Sequence, residues 1–297
     1  MKSYLSKNKY YLLLHFIIFI WGFTGILGGL ISISAVSLVW YRMLIAVAAL
    51  LVYALLIRKR ILLPSKKMGM AMGVGIVIAL HWIFFYQAIK SSTVSIAVVC
   101  LSFATFFSSL IEPLFFKRKI YPYELVFGIL VVLGLIYIFN FQPNYTEGIF
   151  YGVISASLSA LFTVLNGKLA KNNEAVTLSF FELLGGFLGI TLYLILSSKF
   201  TADLFYIPLS DWFYLILLGI ICTAFAFVGS VLVMKQLSPY TVVISTNLEP
   251  VYTILLAYLI FGEKEKMNVQ FYAGTIFILL ILFANAYFKS KSKSQVK

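Results

Sequence analysis

The chain has 297 residues, of which 62% are hydrophobic and 11% charged, with a net charge of +13 and a mean hydropathy of +1.01. A soluble protein of this length keeps about 25% charged residues to face water, so the composition excludes a water-soluble globule and places the chain in a bilayer. The basic residues fall in short clusters between apolar runs, which points to anionic lipid headgroups rather than nucleic acid as their contact.

A membrane helix needs about 20 mostly apolar residues. Taken in chain order, the spans are expected at roughly 10–31, 35–57, 67–89, 93–116, 121–141, 148–169, 175–197, 211–233, 240–261 and 267–288. The first follows a basic start, as a signal peptide would. Its apolar run is too long for one and no small-residue cleavage site follows, so it reads as a helix that stays. Connections are short and leave no room for a soluble domain. The runs are continuous rather than alternating, which argues against a β-barrel. Cys100 and Cys222 lie inside apolar runs and read as small buried hydrophobes, not as a disulfide.

Loop lysines and arginines set the orientation. With the N-terminus inside, the inner segments hold Lys2, Lys7, Lys9, Arg58, Lys59, Arg60, Lys66, Lys67, Lys117, Arg118, Lys119, Lys168, Lys171, Lys235, Lys289, Lys291, Lys293 and Lys297. The outer segments hold Lys90, Lys199, Lys264 and Lys266. Both termini are therefore expected in the cytoplasm, with the chain in the cell's inner membrane.

The ten spans read as two copies of five. At an offset of 140, AVSLVWYRMLIA at 35–46 runs parallel to AVTLSFFELLGG at 175–186. The offset then drifts to 146, where Ser92 meets Ser238, Leu110 meets Leu256, Phe115 meets Phe261 and Gly128 meets Gly274. An odd number of spans turns the second copy over, so residues 1–145 form a first five-helix repeat and 146–297 a second, inverted one. The expected fold is an all-α integral membrane protein of ten helices. Secondary transporters commonly place their site between such repeats near the midplane.

Charged groups persist inside a membrane mainly where they face protein or water. Four ionisable residues within spans are therefore candidates for binding substrate or protons: Arg42, His81, Glu182 and Glu249. At 1.5 Å per residue, Arg42 and Glu182 differ in depth by roughly 10 Å, so a direct salt bridge between them is not expected. By the same count His81 shares the outer depth with Arg42, and Glu249 the inner depth with Glu182. Pro250 removes a backbone donor beside Glu249 and can open that helix. Trp21, Trp82, Tyr86, Phe103, Asn166, Asn247 and Tyr252 are candidates to line a cavity, since aromatic walls hold apolar groups and cations. Glu112, near the KRK cluster at 117–119, reads as a snorkelling interface residue, and His15 as interfacial. The spacings Gly25/Gly29, Gly69/Gly73 and Gly185/Gly189 suggest close helix packing. No HExxH, GxSxG or P-loop pattern is present, nor any metal-ligand cluster, so neither an enzyme nor a cofactor is expected.

FIWGFTG at 19–25, WYRMLIAVAALL at 40–51 and LEPVYTILLAYLIFGE at 248–263, followed by Gly274, give a resemblance to the drug/metabolite transporter superfamily of EamA type. The chain departs from it at Phe116–Lys117, where a Gly-Glu ending to the fourth span is frequent. The resemblance implies a carrier that exports amino acids and related small metabolites, usually without ATP; other members take up substrate, which leaves the direction open. Residues and resemblance together give a secondary-active transporter of small polar or amino-acid-like solutes, with protons as the coupling ion and lipids as surroundings. A flippase for a lipid or lipid-linked headgroup is the alternative, and a membrane-embedded enzyme a third reading.

Overall fold

The computed structural model describes residues 2–117, 119–140 and 142–295, and the side chains of 8–117, 119–140, 142–285, 287 and 288. The side chains of Lys2, Lys7, Arg118, Lys289, Lys291, Lys293 and Lys297, used above for orientation, lie outside that set. The first three spans are the helices α1 (Lys2–Leu30), α2 (Ala35–Leu56) and α3 (Ser65–Ser91). The fourth is two helices, α4 (Val94–Cys100) and α5 (Phe103–Phe116), and α6 (Pro122–Asn140) is the fifth. Then follow α7 (Thr146–Leu169) and α8 (Ala175–Leu196). The eighth span is α9 (Leu209–Gly219) and α10 (Ala226–Met234), joined by a π-helical stretch, Ile220–Phe225. The ninth is α11 (Pro239–Thr246) and α12 (Glu249–Phe261), and α13 (Val269–Gln295) is the tenth. Among the described residues nine spans are long and apolar enough to cross a bilayer, and Val269–Asn285 is a shorter apolar helix. Helices dominate because a bilayer offers no water to unpaired backbone groups, so each span must satisfy its own.

The two repeats are visible in backbone detail. Helices α2 and α8 both have 22 residues at an offset of 140. Ser34 caps α2 through the Ser37 N–H, and Glu174 caps α8 through the Val176 and Thr177 N–H groups. Both helices end in a left-handed residue, Arg58 at φ 53° and Ser198 at φ 56°. The same pair of bonds closes each end: Lys59 N–H to Ala54 and Arg58 N–H to Leu55, Lys199 N–H to Leu194 and Ser198 N–H to Ile195. That is the Schellman pattern, which satisfies terminal carbonyls without water. The offset has grown to 146 at the broken spans, where α4 stops at Cys100 and α11 at Thr246.

Carboxylates tie each half-helix to the other repeat. Glu265, after α12, accepts the Val94 and Ser95 N–H groups of α4 at 2.8 and 3.0 Å. Glu112, on α5, accepts the Tyr240 N–H of α11 at 2.8 Å and is buried. The snorkelling reading of Glu112 is thus corrected: free N–H groups at a helix start attract a carboxylate more strongly than the interface does. On the same face as Glu265, the Ser32 N–H and hydroxyl donate to Asp211 Oδ2 at 2.8 Å each, and Lys90 donates to the Ile31 carbonyl. The opposite face carries the Lys59–Glu174 ion pair at 2.8 Å.

Two glycines set the spacing around the centre. A Cβ on Gly75 of α3 would land on the Glu182 carbonyl of α8, so these helices meet backbone to backbone. A Cβ on Gly28 would land in the Tyr86 ring. Gly185 also faces the α3 backbone, at Met72, and Gly189 touches Ile76. A Cβ on Gly69 or Gly73 would meet nothing within 4 Å, correcting the expectation for that pair, although Met72 between them faces α8. Cys100 and Cys222 are free and buried.

Candidate functional site

A central cavity lies where the two broken spans meet. It leaves about 80 Å³ for the centres of water-sized molecules, a narrow space between the helices. Arg42, His81, Trp21, Trp82, Asn247 and Glu249 line it. Thr24, Phe85, Leu101, Ala104, Ser159, Phe162, Thr163, Phe227, Thr246 and Pro250 complete the wall, with Met234, Val242 and Val243 at one end.

Arg42 is 2% exposed. Its Nε donates to Thr223 Oγ1 at 2.6 Å and its Nη1 to the Tyr86 hydroxyl at 2.8 Å. Its guanidinium lies 3.7 Å from the centre of the Trp82 ring. Thr223 sits in the π-helical stretch, and its hydroxyl also donates to the Leu218 carbonyl at 2.7 Å. The extra residue in that turn brings the threonine oxygen to the arginine, a common use of π-bulges. Gly219 makes room, because a Cβ there would strike Ile45 of α2. Two of the five guanidinium N–H groups are thus used, and the rest have no protein acceptor among the described residues. Held by three neighbours, the fork is set to receive a carboxylate.

His81 Nδ1 lies 2.9 Å from the Ser155 carbonyl and 2.8 Å from its hydroxyl, which in turn donates to the His81 carbonyl at 3.0 Å. Facing a carbonyl, Nδ1 carries the hydrogen in the neutral ring, and Nε2 is the nitrogen left to accept from a ligand. Phe162 packs against the ring at 5.3 Å.

Glu249 opens α12 and is 8% exposed. Among the described residues its carboxylate makes no hydrogen bond or ion pair, although it shares the cavity with Arg42. Depth counted along straight helices separates the two. Both nonetheless reach one cavity, and the chain breaks just before Glu249: Asn247 N–H bonds to Ile244 and Leu248 N–H to Ser245, three residues back instead of four. Asn247 Nδ2 then donates to Thr105 Oγ1 at 2.8 Å, joining the break in the second repeat to the one in the first. Pro250, second in the new helix, lacks an N–H that would be unpaired there anyway.

Five expected residues are not on the cavity wall. Tyr86 stands behind it as a partner of Arg42. The Phe103 ring packs instead against Phe107 and Phe139, at 6.4 and 6.5 Å. Tyr252 turns to Phe19, at 5.6 Å. Glu182 and Asn166 meet each other between α7 and α8, with Asn166 Nδ2 donating to Glu182 Oε2 at 3.4 Å. For Tyr86, Phe103 and Tyr252 the cause is rotational, since a helix exposes one stripe to the cavity and these occupy others; α8 contributes no residue to the wall, and Asn166 shares the face of Ser159 and Thr163 but lies one turn beyond it. His15 is exposed, as an interfacial residue would be. Thr223 and the serine–threonine face of α7 were missed. The second had a signal, since Ser155, Ser159, Thr163 and Asn166 recur at helical spacing in an apolar span.

An all-α bundle of ten spans, built from two inverted five-helix repeats around a polar-lined cavity, is the architecture of a membrane carrier. The chain belongs to the EamA-like transporter family, which residues 8–140 match once and residues 146–287 a second time. It is similar to an uncharacterized transporter of Archaeoglobus fulgidus, 25% identical over 203 residues that cover 67% of this chain and 70% of that protein. A solved crystal structure shares the fold, with a TM-score of 0.69 at 15% identity, across 94% of this chain and 96% of the other. Family and relative point to a transporter of small molecules rather than to an enzyme.

Proposed function

We propose that the protein exports small zwitterionic, amino-acid-like metabolites, with the substrate bound between Arg42 and Glu249. The observation that carries this is one cavity holding an arginine with spare donors and a carboxylate without a partner. Arg42 meets the substrate carboxylate and Glu249 its ammonium group. Trp21, Trp82, Phe85 and Phe162 hold an apolar side chain, while His81 Nε2 and Asn247 add polar contacts. A proton competes with the ammonium group for Glu249, which is the simplest coupling this cavity supports.

The cavity extends towards Met234, Val242 and Val243, beside Lys235 and on the face that carries the Lys59–Glu174 pair. Basic loops mark the cytoplasmic side, so loading from the cytoplasm, hence export, is the direction we favour. Both termini then lie in the cytoplasm of a cell whose inner membrane holds the chain, and the repeats divide at 145/146. Cysteines at Lys119 and Lys264 should label from opposite sides with an impermeant reagent.

The test of the substrate class is thermal unfolding of the purified protein with amino acids, set beside amines and carboxylic acids bearing the same side chains. A ligand that binds only the folded state raises its apparent stability. Stabilisation by zwitterions and not by either one-ended analogue is expected. Equal stabilisation by one-ended analogues, or by lipid headgroups alone, overturns the reading in favour of another substrate or a flippase.

A further inference from the structure

Away from the cavity, buried oxygens without partners gather between α7 and α8. Glu182 Oε1, Asn166 Oδ1 and Ser179 Oγ are all buried and make no hydrogen bond among the described residues. Their residues are all 0% exposed. Ser179 precedes Glu182 by one turn on the same face of α8, and the one bond joining Asn166 to Glu182 is long, at 3.4 Å. Polar atoms this deep are normally paired, and an exception calls for a cause such as a bound ion. We propose that Glu182, Asn166 and Ser179 form a buried site for one small monovalent cation such as sodium, separate from the substrate cavity.

Three features define the ligand. Every unpaired atom is an oxygen, the donor type that hard cations take. One carboxylate neutralises one positive charge, whereas a divalent ion would leave a buried net charge, which is costly. A proton on Glu182 supplies a single donor and pairs with one further oxygen at most, while a cation contacts all three. Among the described residues no other charged group pairs with the cluster: Arg42 is committed to Thr223 and Tyr86, His81 to Ser155, and Glu249 faces the cavity. On the other side of α8, Gly75 of α3 lets the backbones touch at the Glu182 carbonyl.

Ser159 and Thr163 line the wall, and Asn166 follows one turn later on the same face of α7. One polar face of α7 thus runs from the cavity wall to the cluster.

The experiment measures the unfolding temperature of the full-length protein in detergent at fixed pH and ionic strength. Replacing choline chloride with sodium chloride at ~100 mM should raise it by about 3 °C or more. Glu182→Gln should abolish the rise. Ser179→Ala and Asn166→Leu, which keep the carboxylate, should each raise the half-maximal sodium concentration at least about fivefold. Glu249→Gln should leave the sodium effect intact, so failure of the cavity reading and failure of this one are told apart. Equal midpoints in sodium and choline overturn the proposal, as does a sodium effect that survives Glu182→Gln. So does a sodium-insensitive midpoint that rises with acid only while Glu182 is present, which would make the cluster a proton site. If Glu182→Gln fails to accumulate, unchanged half-maximal sodium in both Ser179→Ala and Asn166→Leu overturns it.

Discussion

In the first repeat, the broken span carries Leu101 and Ser102 between its half-helices and opens the second with Phe103. In the second repeat, Asn247 and Leu248 hold the same register and Glu249 opens the second half-helix. The backbone bonds correspond one for one: Leu101 to Val98 and Ser102 to Val99, then Asn247 to Ile244 and Leu248 to Ser245, all 146 residues on. Thr93 and Ser238 cap the two short helices in the same way. Two sequences that share little side-chain chemistry therefore build one backbone device. The device is set by caps, tight turns and membrane packing, and what a break does is set by the side chain it presents. Phe103 fills space among phenylalanines, whereas Glu249 puts an unpaired carboxylate into the cavity.

The largest expected effect breaks this asymmetry. Glu249→Gln keeps shape and hydrogen bonding but cannot exchange a proton. In proteoliposomes it should reduce pH-driven accumulation to background while substrate exchange persists in part. Phe103→Leu, at the equivalent place, should leave transport near wild type and cost under about 1.5 kcal/mol. Accumulation by Glu249→Gln with unchanged pH dependence would make the two breaks equivalent and remove Glu249 from coupling.

Next comes Arg42, which faces Glu249 across the same cavity. A lysine cannot hold Thr223, Tyr86 and a carboxylate at once. Arg42→Lys should lower transport at least about tenfold, a loss of about 1.4 kcal/mol, in protein that still folds. Normal transport would show that the arginine serves packing only.

The carboxylates that tie the half-helices across the repeats sharpen the comparison further. Glu265→Gln and Glu112→Gln each weaken charge-assisted bonds to a helix start, at a cost of about 1–2 kcal/mol. Their effects on access should be opposite in side. With a reporter cysteine at Ala104 on the cavity wall, Glu265→Gln should speed labelling from the face of Lys264, and Glu112→Gln from the face of Lys119. Equal changes from both sides would mean general loosening instead of two gates.

The smallest effect concerns the caps of α2 and α8. Burial pushes the Glu174 carboxyl up, but Lys59 and the Val176 and Thr177 N–H groups outweigh it, leaving it below its ordinary value. A carboxylate with a lowered folded-state pKa stabilises above its unfolded value and loses that contribution as pH falls through the folded one. Glu174→Gln should therefore cost well under 1 kcal/mol at pH 7, since the Lys59 pair is partly exposed and screened. The difference should shrink as pH falls below the ordinary carboxylate value of about 4 and through the lower folded-state value. Chemical unfolding at pH 7 and through that range checks this. Ser34, the uncharged counterpart, should show no such pH dependence when replaced by alanine.

Apolar run length and hydropathy alone put the ten spans in the sequence, since a bilayer demands about 20 apolar residues whatever their neighbours. The repeat was legible too, because duplication leaves an offset. So were Arg42, His81 and Glu249, because an ionisable residue in hydrocarbon is conspicuous without any fold. Which of these groups meet was decided by tertiary structure. Depth along straight helices separates Arg42 from Glu249, yet the packed helices bring both to one cavity. The π-helical turn that delivers Thr223 has no sequence signature of its own, because it is a choice among backbone registers made by contact with α2. Glu182 looked like Arg42's opposite number in the repeat and sits elsewhere, among Asn166 and Ser179. Inversion reproduces a backbone, while the azimuth of each side chain depends on which helix happens to pack against it.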